Sequence, residues 1–512
     1  MTAPTVMVQG TASSVGKSLL VTALCRLFRR AGLRVAPFKS QNMALNAAVT
    51  LDGLEIGRAQ AVQADAAGLA ATVDMNPILL KPEGDCGCQV VVLGKPIGRM
   101  TAAQYHAYQP QLTQIIATSL DRLRAEHDLV VIEGAGSPAE INLQAHDIAN
   151  MHVARLAGAP VLLAGDIDRG GVFAAFVGTL ELLPPDDRAR IAAFIVNRFR
   201  GDRALLEPGL DMLTARTGVP VLGVVPYVPR LRIADEDSVS LDDRAGRRRP
   251  PPGELDIAVV RLPRIANHDD VEPLEHEPGV TVRFVDHPDE LSGADLVVLP
   301  GSKNTTADLA WLRAAGLADA IVARAAAGDP ILGVCGGCQM LGEVIEDPHG
   351  VESAEPRVAG LGLLPLATRF GRDKRTAQVA ARAAAPSFLT AGAALAGPVA
   401  GYEIHMGVVE PVRPVPAAFA IEARHGRPAA ARDGAVAGDG AIVGTMLHGL
   451  FDNDALRART LAALRARRGL AAPAGARRIP TRQAEYDRLA DAVQGGLDLD
   501  RLWRIAGAPR GT

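Results

Sequence analysis

Lysine is scarce in this 512-residue chain: of 54 basic residues only six are lysine, at positions 17, 39, 81, 95, 303 and 374. A lysine retained against an arginine background marks a place where a compact ammonium is needed. Four of the six fall in the motif-like stretches described below. Cysteine is also rare, and its odd count of five excludes a disulfide framework and points to a reducing, cytoplasmic setting. No charge of either sign dominates. A net charge of −3 gives no reason to expect nucleic acid or a membrane surface as a partner. The N-terminus shows no basic segment followed by an apolar core, so no signal peptide is expected. The one long uncharged run, residues 383–401, is mostly Ala and Gly and contains Pro386 and Pro398. Its low apolarity and its prolines exclude a spanning helix and predict a surface loop or helix pair.

What remains is a soluble globular composition, 48% hydrophobic and 22% charged, long enough for two or three domains. Short apolar runs alternate with helical patterns over residues 1–232, the signature of a parallel sheet covered by helices. Strands are predicted at 5–9, 34–38, 129–133, 160–165, 191–196 and 221–225. The first runs into Gly10-Thr11-Ala12-Ser13-Ser14-Val15-Gly16-Lys17-Ser18 and then an apolar helix. Strand, glycine-rich loop and helix make a phosphate site: backbone N–H groups point at the anion, Lys17 reaches the terminal phosphates and Ser18 can ligate Mg²⁺. The loop is one residue longer than the standard P-loop, with Thr11 where the first glycine usually stands.

Ligands of such sheets lie beyond the carboxyl ends of the strands. The residues there are Lys39, Glu133, Asp166 and Asn197, all polar. Lys39 is suited to a γ-phosphate or an anionic substrate. Glu133, in Leu129-Val130-Val131-Ile132-Glu133-Gly134-Ala135-Gly136, is placed like a Walker-B acid for Mg²⁺. Asn197 can read an adenine edge. Asp166-Ile167-Asp168-Arg169-Gly170-Gly171 gathers acids and an arginine suited to metal or carboxylate binding. Cys86 and Cys88 have no second pair nearby, so they read as adventitious.

Residues 233–254, with Arg247-Arg248-Arg249-Pro250-Pro251-Pro252, read as an extended linker. A second α/β pattern occupies 255–455. There Pro330-Ile331-Leu332-Gly333-Val334 runs into Cys335-Gly336-Gly337-Cys338, a nucleophile elbow whose helix N-terminus favours the thiolate. The N–H of Gly336 and one from the Gly301-Ser302 loop can form an oxyanion hole. His448, in a Gly-bounded turn after an apolar strand, is the preferred base, and His405 takes a substrate or structural role. A redox or zinc pair at Cys335 and Cys338 is the competing reading. Residues 456–512 form a helical extension with packing as its default role.

The long loop with Glu133-Gly134-Ala135-Gly136 resembles dethiobiotin synthetase and its relatives, and the Cys335 elbow with His448 resembles class I glutamine amidotransferases. Lys39–Asn46, Glu55–Gln60, Asn76–Pro82, Asp166–Phe173, Pro300–Thr305 and Tyr402–Gly407 resemble the cobyric acid synthase family, nearly throughout the chain. The resemblance implies two doubly wound α/β domains, the first a P-loop-type parallel sheet and the second glutaminase-like and flavodoxin-like, with a helical C-terminal tail. It implies ATP- and glutamine-dependent amidation of a corrinoid. ATP would be bound by Gly10, Thr11, Gly16, Lys17, Ser18 and Asn197, and Mg²⁺ by Ser18 and Glu133. The corrinoid would be bound by Lys39, Asn42, Lys81, Asp166 and Arg169. Cys335 would form a glutamyl thioester and His448 would shuttle the proton.

One departure stands out: Leu450 occupies the place two residues after His448 where a Glu would orient the base. The cobyric acid synthase branch is similar in lacking it, and Glu403 is the candidate substitute. Two alternatives stay open. One is a related amidoligase, either a cobyrinic acid a,c-diamide synthase or a cell-wall amidating ligase; the other is a partition-type ATPase with a binding module. The oligomeric state stays open too.

Overall fold

The computed structural model describes residues 2–83, 87–233, 250–353, 355–390, 395, 397–471 and 480–509. Cys86 and residues 234–249 of the predicted linker, including Arg247, Arg248 and Arg249, lie outside the described residues.

The N-terminal sheet has six parallel strands in the order Val221–Pro226, Ile191–Phe199, Val161–Asp166, Thr5–Gly10, Leu129–Glu133, Val35–Phe38. Continuous Val/Ile/Leu runs form these strands because both faces are covered. Alternate side chains go to opposite layers: Val6 and Val8 join the core under the helix Lys17–Arg30, and Met7 joins the core of the other face. Thr5–Gly10 lies between Val161–Asp166 and Leu129–Glu133, where the strand order reverses, and such a switch point opens a crevice at the carboxyl ends.

Inserted in the chain between Val35–Phe38 and Leu129–Glu133 is an element that the apolar pattern did not announce. The strands Gln41–Met43, Ile78–Pro82, Gly87–Val92 and Lys95–Thr101 make a separate small sheet, antiparallel but for its first pair.

The C-terminal domain is built on six strands in the order Val280–Val285, Leu255–Val260, Leu296–Leu299, Ile331–Val334, Ile442–Thr445, Ala435–Ala437, parallel except for the last. Beside it stands a largely antiparallel sheet dominated by the long strands Leu366–Ala383 and Val399–Pro411. The uncharged run 383–401 joins these two strands; no helix forms among its described residues, so of the two expected forms, loop or helix pair, they show the loop.

Residues 456–512 do not form one extension. The helix Asp454–Arg468 packs Leu456, Leu461 and Leu464 into the C-terminal core. The helices Arg482–Gly496 and Leu499–Ala506 return to the N-terminal domain, where Tyr486, Leu489, Val493 and Leu502 join Leu20, Leu24 and Phe28. Trp503 meets Phe28 edge-on at 4.9 Å, and Arg26 pairs with Asp487 at 2.8 Å. Full burial of each such apolar side chain is worth roughly 1.5–3 kcal/mol, so apolar contact supplies most of the docking. Among the described residues, no helix is long and apolar enough to cross a membrane.

Candidate active site

Two cavities flank the small inserted sheet. One is a pocket of about 50 Å³ lined by Cys335, His448, Gly301, Ser302, Gln339 and Glu352, together with Lys81 and Gln89 of the N-terminal domain. The other is a cavity of about 890 Å³ lined by the phosphate loop, Lys39, Asn42, Arg169 and Arg198. The strand Ile78–Pro82 is their shared wall. Leu80 and Pro82 face the large cavity and Lys81 faces the small pocket, as the period of two in a strand requires.

Cys335 sits between the strand Ile331–Val334 and the helix Gly336–Leu341 with φ 51° and ψ −110°. A non-glycine residue there is strained, and the surroundings hold it: its N–H donates to Thr445 O at 2.8 Å and its carbonyl accepts from Gln339 N at 3.0 Å. Gly336 approaches the Gly301-Ser302 loop so closely that a Cβ would meet Ser302 N at 2.8 Å. A Cβ on Gly301 would lie 3.3 Å from His448 Cε1. The loop, the elbow and the imidazole therefore converge, and glycine is what permits the approach.

His448 Nδ1 lies 2.6 Å from Asp270 Oδ2, and Asp270 Oδ1 accepts from Gly449 N at 2.8 Å. Burial alone would lower the basicity of His448. The carboxylate of Asp270 and the sulfur of Cys335 outweigh it and push the imidazole up to about 10. The protonated ring is thus favoured, charged against the Asp270 carboxylate. Tyr402 stacks on it, with centroids 5.1 Å apart and planes 17° from parallel.

Asp270, which lies between the first two strands of this domain, is the residue that sequence reasoning missed. Glu403, the expected substitute for the absent Glu, is instead bound by Arg424 at 2.6 and 3.0 Å. The available signal was the acid pair Asp269-Asp270 in the loop after Leu255–Val260, but nothing local separates the two. His405 lines the pocket with Nδ1 3.1 Å from Gly407 O. Cys338 is buried beneath Gly444, and burial pushes its thiol far up, which makes it a core residue rather than half of a redox or zinc pair. Glu352 is pushed up to about 7 by burial and accepts from Thr305 N at 2.8 Å.

In the large cavity, Lys17 Nζ donates to Ala12 O and Gly136 O, both at 3.0 Å. Ser18 Oγ donates to Glu133 Oε1 at 2.9 Å, and Lys39 Nζ bonds the same oxygen at 2.8 Å. Lys17, Ser18, Lys39 and Glu133 thus gather at the phosphate loop. The Ser18 hydroxyl and the Glu133 carboxylate are hard oxygen donors that fit Mg²⁺, which keeps most of its shell for water and phosphate. Lys39 occupies the same carboxylate and would have to give way. Among the described residues no group of three His, Cys, Asp or Glu side chains makes a metal cage.

Other predicted residues are placed differently. Asn197 donates its amide to Val15 O at 2.8 Å, so the group expected to read adenine braces the phosphate loop. Asp166 accepts from Arg198 at 2.9 Å and lies 3.8 Å from Arg169 Nε, so it orients two arginines that line the cavity. Asn42 lines the cavity and donates to Gln60 at 2.9 Å. Lys81 is absent from this cavity; it pairs with Glu55 at 2.5 Å, whose other oxygen binds Lys374 at 2.6 Å. Burial opposes ionisation of Glu55, but the two ammoniums hold it at about 2.

Comparison with known proteins agrees with this division. Residues 6–241 match the CobQ/CobB/MinD/ParA nucleotide binding domain, and residues 256–456 match the CobB/CobQ-like glutamine amidotransferase domain. The cobyric acid synthase of Sorangium cellulosum (strain So ce56) is 68% identical over 100% of both chains. The chain belongs to the cobyric acid synthase family. The cobyric acid synthase of Desulforudis audaxviator (strain MP104C) is 53% identical over 99% of this chain and 100% of its own. Family membership makes the chain an amidotransferase-type ligase of cobalamin biosynthesis. Among solved structures, PurLQS from Thermotoga maritima matches 42% of this chain and 99% of its own at 19% identity, with a TM-score of 0.33.

Proposed function

We propose that the chain amidates the b, d, e and g carboxylates of adenosylcobyrinic acid a,c-diamide to give adenosylcobyric acid, using ATP and glutamine. The observation that carries this reading is the pair of cavities on opposite faces of the strand Ile78–Pro82, one holding a nucleophile and base, the other a phosphate loop.

In the small pocket the Cys335 thiolate attacks the glutamine amide carbon. The oxygen that becomes negative is met by the N–H of Gly336 and of the Gly301-Ser302 loop. The His448 imidazolium, oriented by Asp270, gives its proton to the departing nitrogen, which leaves as ammonia. His448, now neutral, takes a proton from water as that water attacks the glutamyl thioester, releasing glutamate and restoring the thiolate. In the large cavity a corrinoid carboxylate attacks the γ-phosphorus of ATP to form an acyl phosphate and ADP, with Lys17 and Lys39 neutralising charge. Ammonia then displaces phosphate and forms the amide. Ser18 and Glu133 would hold Mg²⁺, whose charge offsets that of the phosphates. Met43 and Leu143 line the large cavity 57% and 48% exposed, an apolar surface suited to a macrocycle face. The unbridged Cys25, Cys88, Cys335 and Cys338 suit a reducing cytoplasm.

The test is amide formation on a panel of corrinoid acids with either glutamine or ammonia. The a,c-diamide should be the preferred acceptor, and Cys335→Ala should lose glutamine-driven amidation while keeping the ammonia-driven reaction. Preference for the unamidated acid, or full glutamine-driven synthesis by Cys335→Ala, would sink this reading.

A further inference from the structure

One short helix touches both active sites. Arg58–Ala67 begins at the pocket side, where Arg58 crosses from the N-terminal domain into the glutaminase domain. Arg58 Nε lies 2.9 Å from Asp269 Oδ2, and Nη2 donates to Tyr402 Oη at 2.5 Å and to Ala47 O at 3.1 Å. Tyr402 is the ring stacked on His448, and Asp269 adjoins Asp270, the carboxylate that orients it. Buried beside Asp269, the guanidinium is held charged despite the cost of burial. The guanidinium thus joins an ion pair with the Asp269 carboxylate to directed Nη2 hydrogen bonds on the Tyr402 phenol and the Ala47 carbonyl.

At the other end Gln63 Nε2 donates to Glu133 Oε2, and Gln60 accepts from Asn42, which lines the large cavity. The rise from residue 58 to residue 63 is roughly 7.5 Å along a helix, so a single rigid element spans the two contacts. Its start is anchored as well: Gly57 N donates to Asn76 Oδ1 at 3.2 Å, and Asn76 Nδ2 donates to the carbonyl of Lys39 at 3.0 Å. Both residues that share Glu133 Oε1 must rearrange when phosphate and a cation arrive, and Gln63 holds the other oxygen of that carboxylate.

We propose that the helix Arg58–Ala67 couples the two sites, with Arg58 a positioning residue that sets His448 against Cys335 in response to what Glu133 binds. The inference rests on the proposed roles of Glu133 and of Cys335 with His448. Because coupling of binding is reciprocal, nucleotide must tighten glutamine by the same factor as glutamine tightens nucleotide.

The experiment measures both binding constants in the full-length Cys335→Ala protein, with glutamine and with a non-hydrolysable ATP analogue plus Mg²⁺, each alone and with the other saturating. A common factor of about 5–150 is expected. Adding Arg58→Ala should bring that factor to one in both directions. In the otherwise intact chain, Arg58→Ala should also slow alkylation of Cys335 by a chloroketone analogue of glutamine by on the order of a hundredfold, while ammonia-driven amidation persists and shows that the chain is folded. Arg58→Lys, which keeps the charge but not the fork, should not restore the coupling. A factor of one in the parent, an undiminished factor in Arg58→Ala, or equal loss of ammonia-driven amidation would overturn the inference. Failure of the glutaminase reading is seen separately, as glutamine-driven synthesis by Cys335→Ala.

Discussion

The small pocket and the large cavity share a wall, yet they reach readiness in opposite ways. Around Cys335 the groups are held by fixed contacts: Asp270 orients the His448 imidazole, Tyr402 stacks on it, and the elbow is strained into place. Around the phosphate loop the charged groups satisfy one another, Lys17 on backbone carbonyls and Lys39 and Ser18 on Glu133. On the proposed function the first site works on a neutral amide, whereas the second would have to exchange internal ion pairs for phosphate and cation, which makes its chemistry depend on ligand binding. Keeping glutamine hydrolysis useful then requires that the prepared site wait for the other one, a task for elements at the interface such as Arg58.

The comparison breaks most sharply at Lys17. Lys17→Ala should lower amide formation from either nitrogen source by a factor of about 10³ or more, the scale of a charged group acting on a phosphoryl transfer, with glutamine hydrolysis still measurable. Loss of both reactions together would mean that the two sites are not separately built. Next comes Asp270→Asn, which offers His448 the wrong hydrogen-bond partner; glutamine hydrolysis should fall on the order of 10³–10⁴, with ammonia-driven amidation surviving. Glu403→Gln should cost far less, and an equal loss would return the orienting role to Glu403.

Thermal denaturation across pH measures the same arrangement. The folded value of His448 is raised from 6.5 to about 10, so its stabilisation is complete below pH 6.5 and is lost as pH rises through about 10. The gap in melting temperature between the parent and Asp270→Asn should therefore be widest at or below pH 6.5 and close toward pH 10. A gap that widens with pH would contradict the imidazolium. The smallest effect belongs to the C-terminal helices. A double-mutant cycle on Arg26 and Asp487, whose carboxylate is 41% exposed, should give a coupling of about 0.5–1 kcal/mol, far below the loss from Leu489→Ala, about 2–5 kcal/mol if the docked core is what holds them.

Much of the large cavity was legible in the chain because its groups are close in sequence to the strand ends that present them. Lys17 and Ser18 follow one strand, Lys39 another and Glu133 a third, so apolar runs and their last polar residues were enough. Asn197 was read by the same rule and Lys81 from the family resemblance, and the structure gives each a partner that neither reading supplied. A strand end gives position but not partner, and Asn197 found Val15 O first. Lys81 lies on an inserted strand whose pleat turns it toward the other cavity.

By itself the sequence determined the two α/β patterns, the phosphate loop and the Cys335 elbow, since each follows from local periodicity and from glycine where the backbone must turn tightly. Only the tertiary structure decided what orients His448. Asp270 is 178 residues away along the chain, and the choice between it and Asp269 depends on which carboxylate faces the ring and which faces Arg58. It also decided that the last two helices belong to the first domain, because their apolar faces match a core that includes the helix Lys17–Arg30, more than 400 positions earlier, as Arg26 and Asp487 at a separation of 461 record. Local pattern sets which face is apolar, and packing alone chooses the surface that covers it.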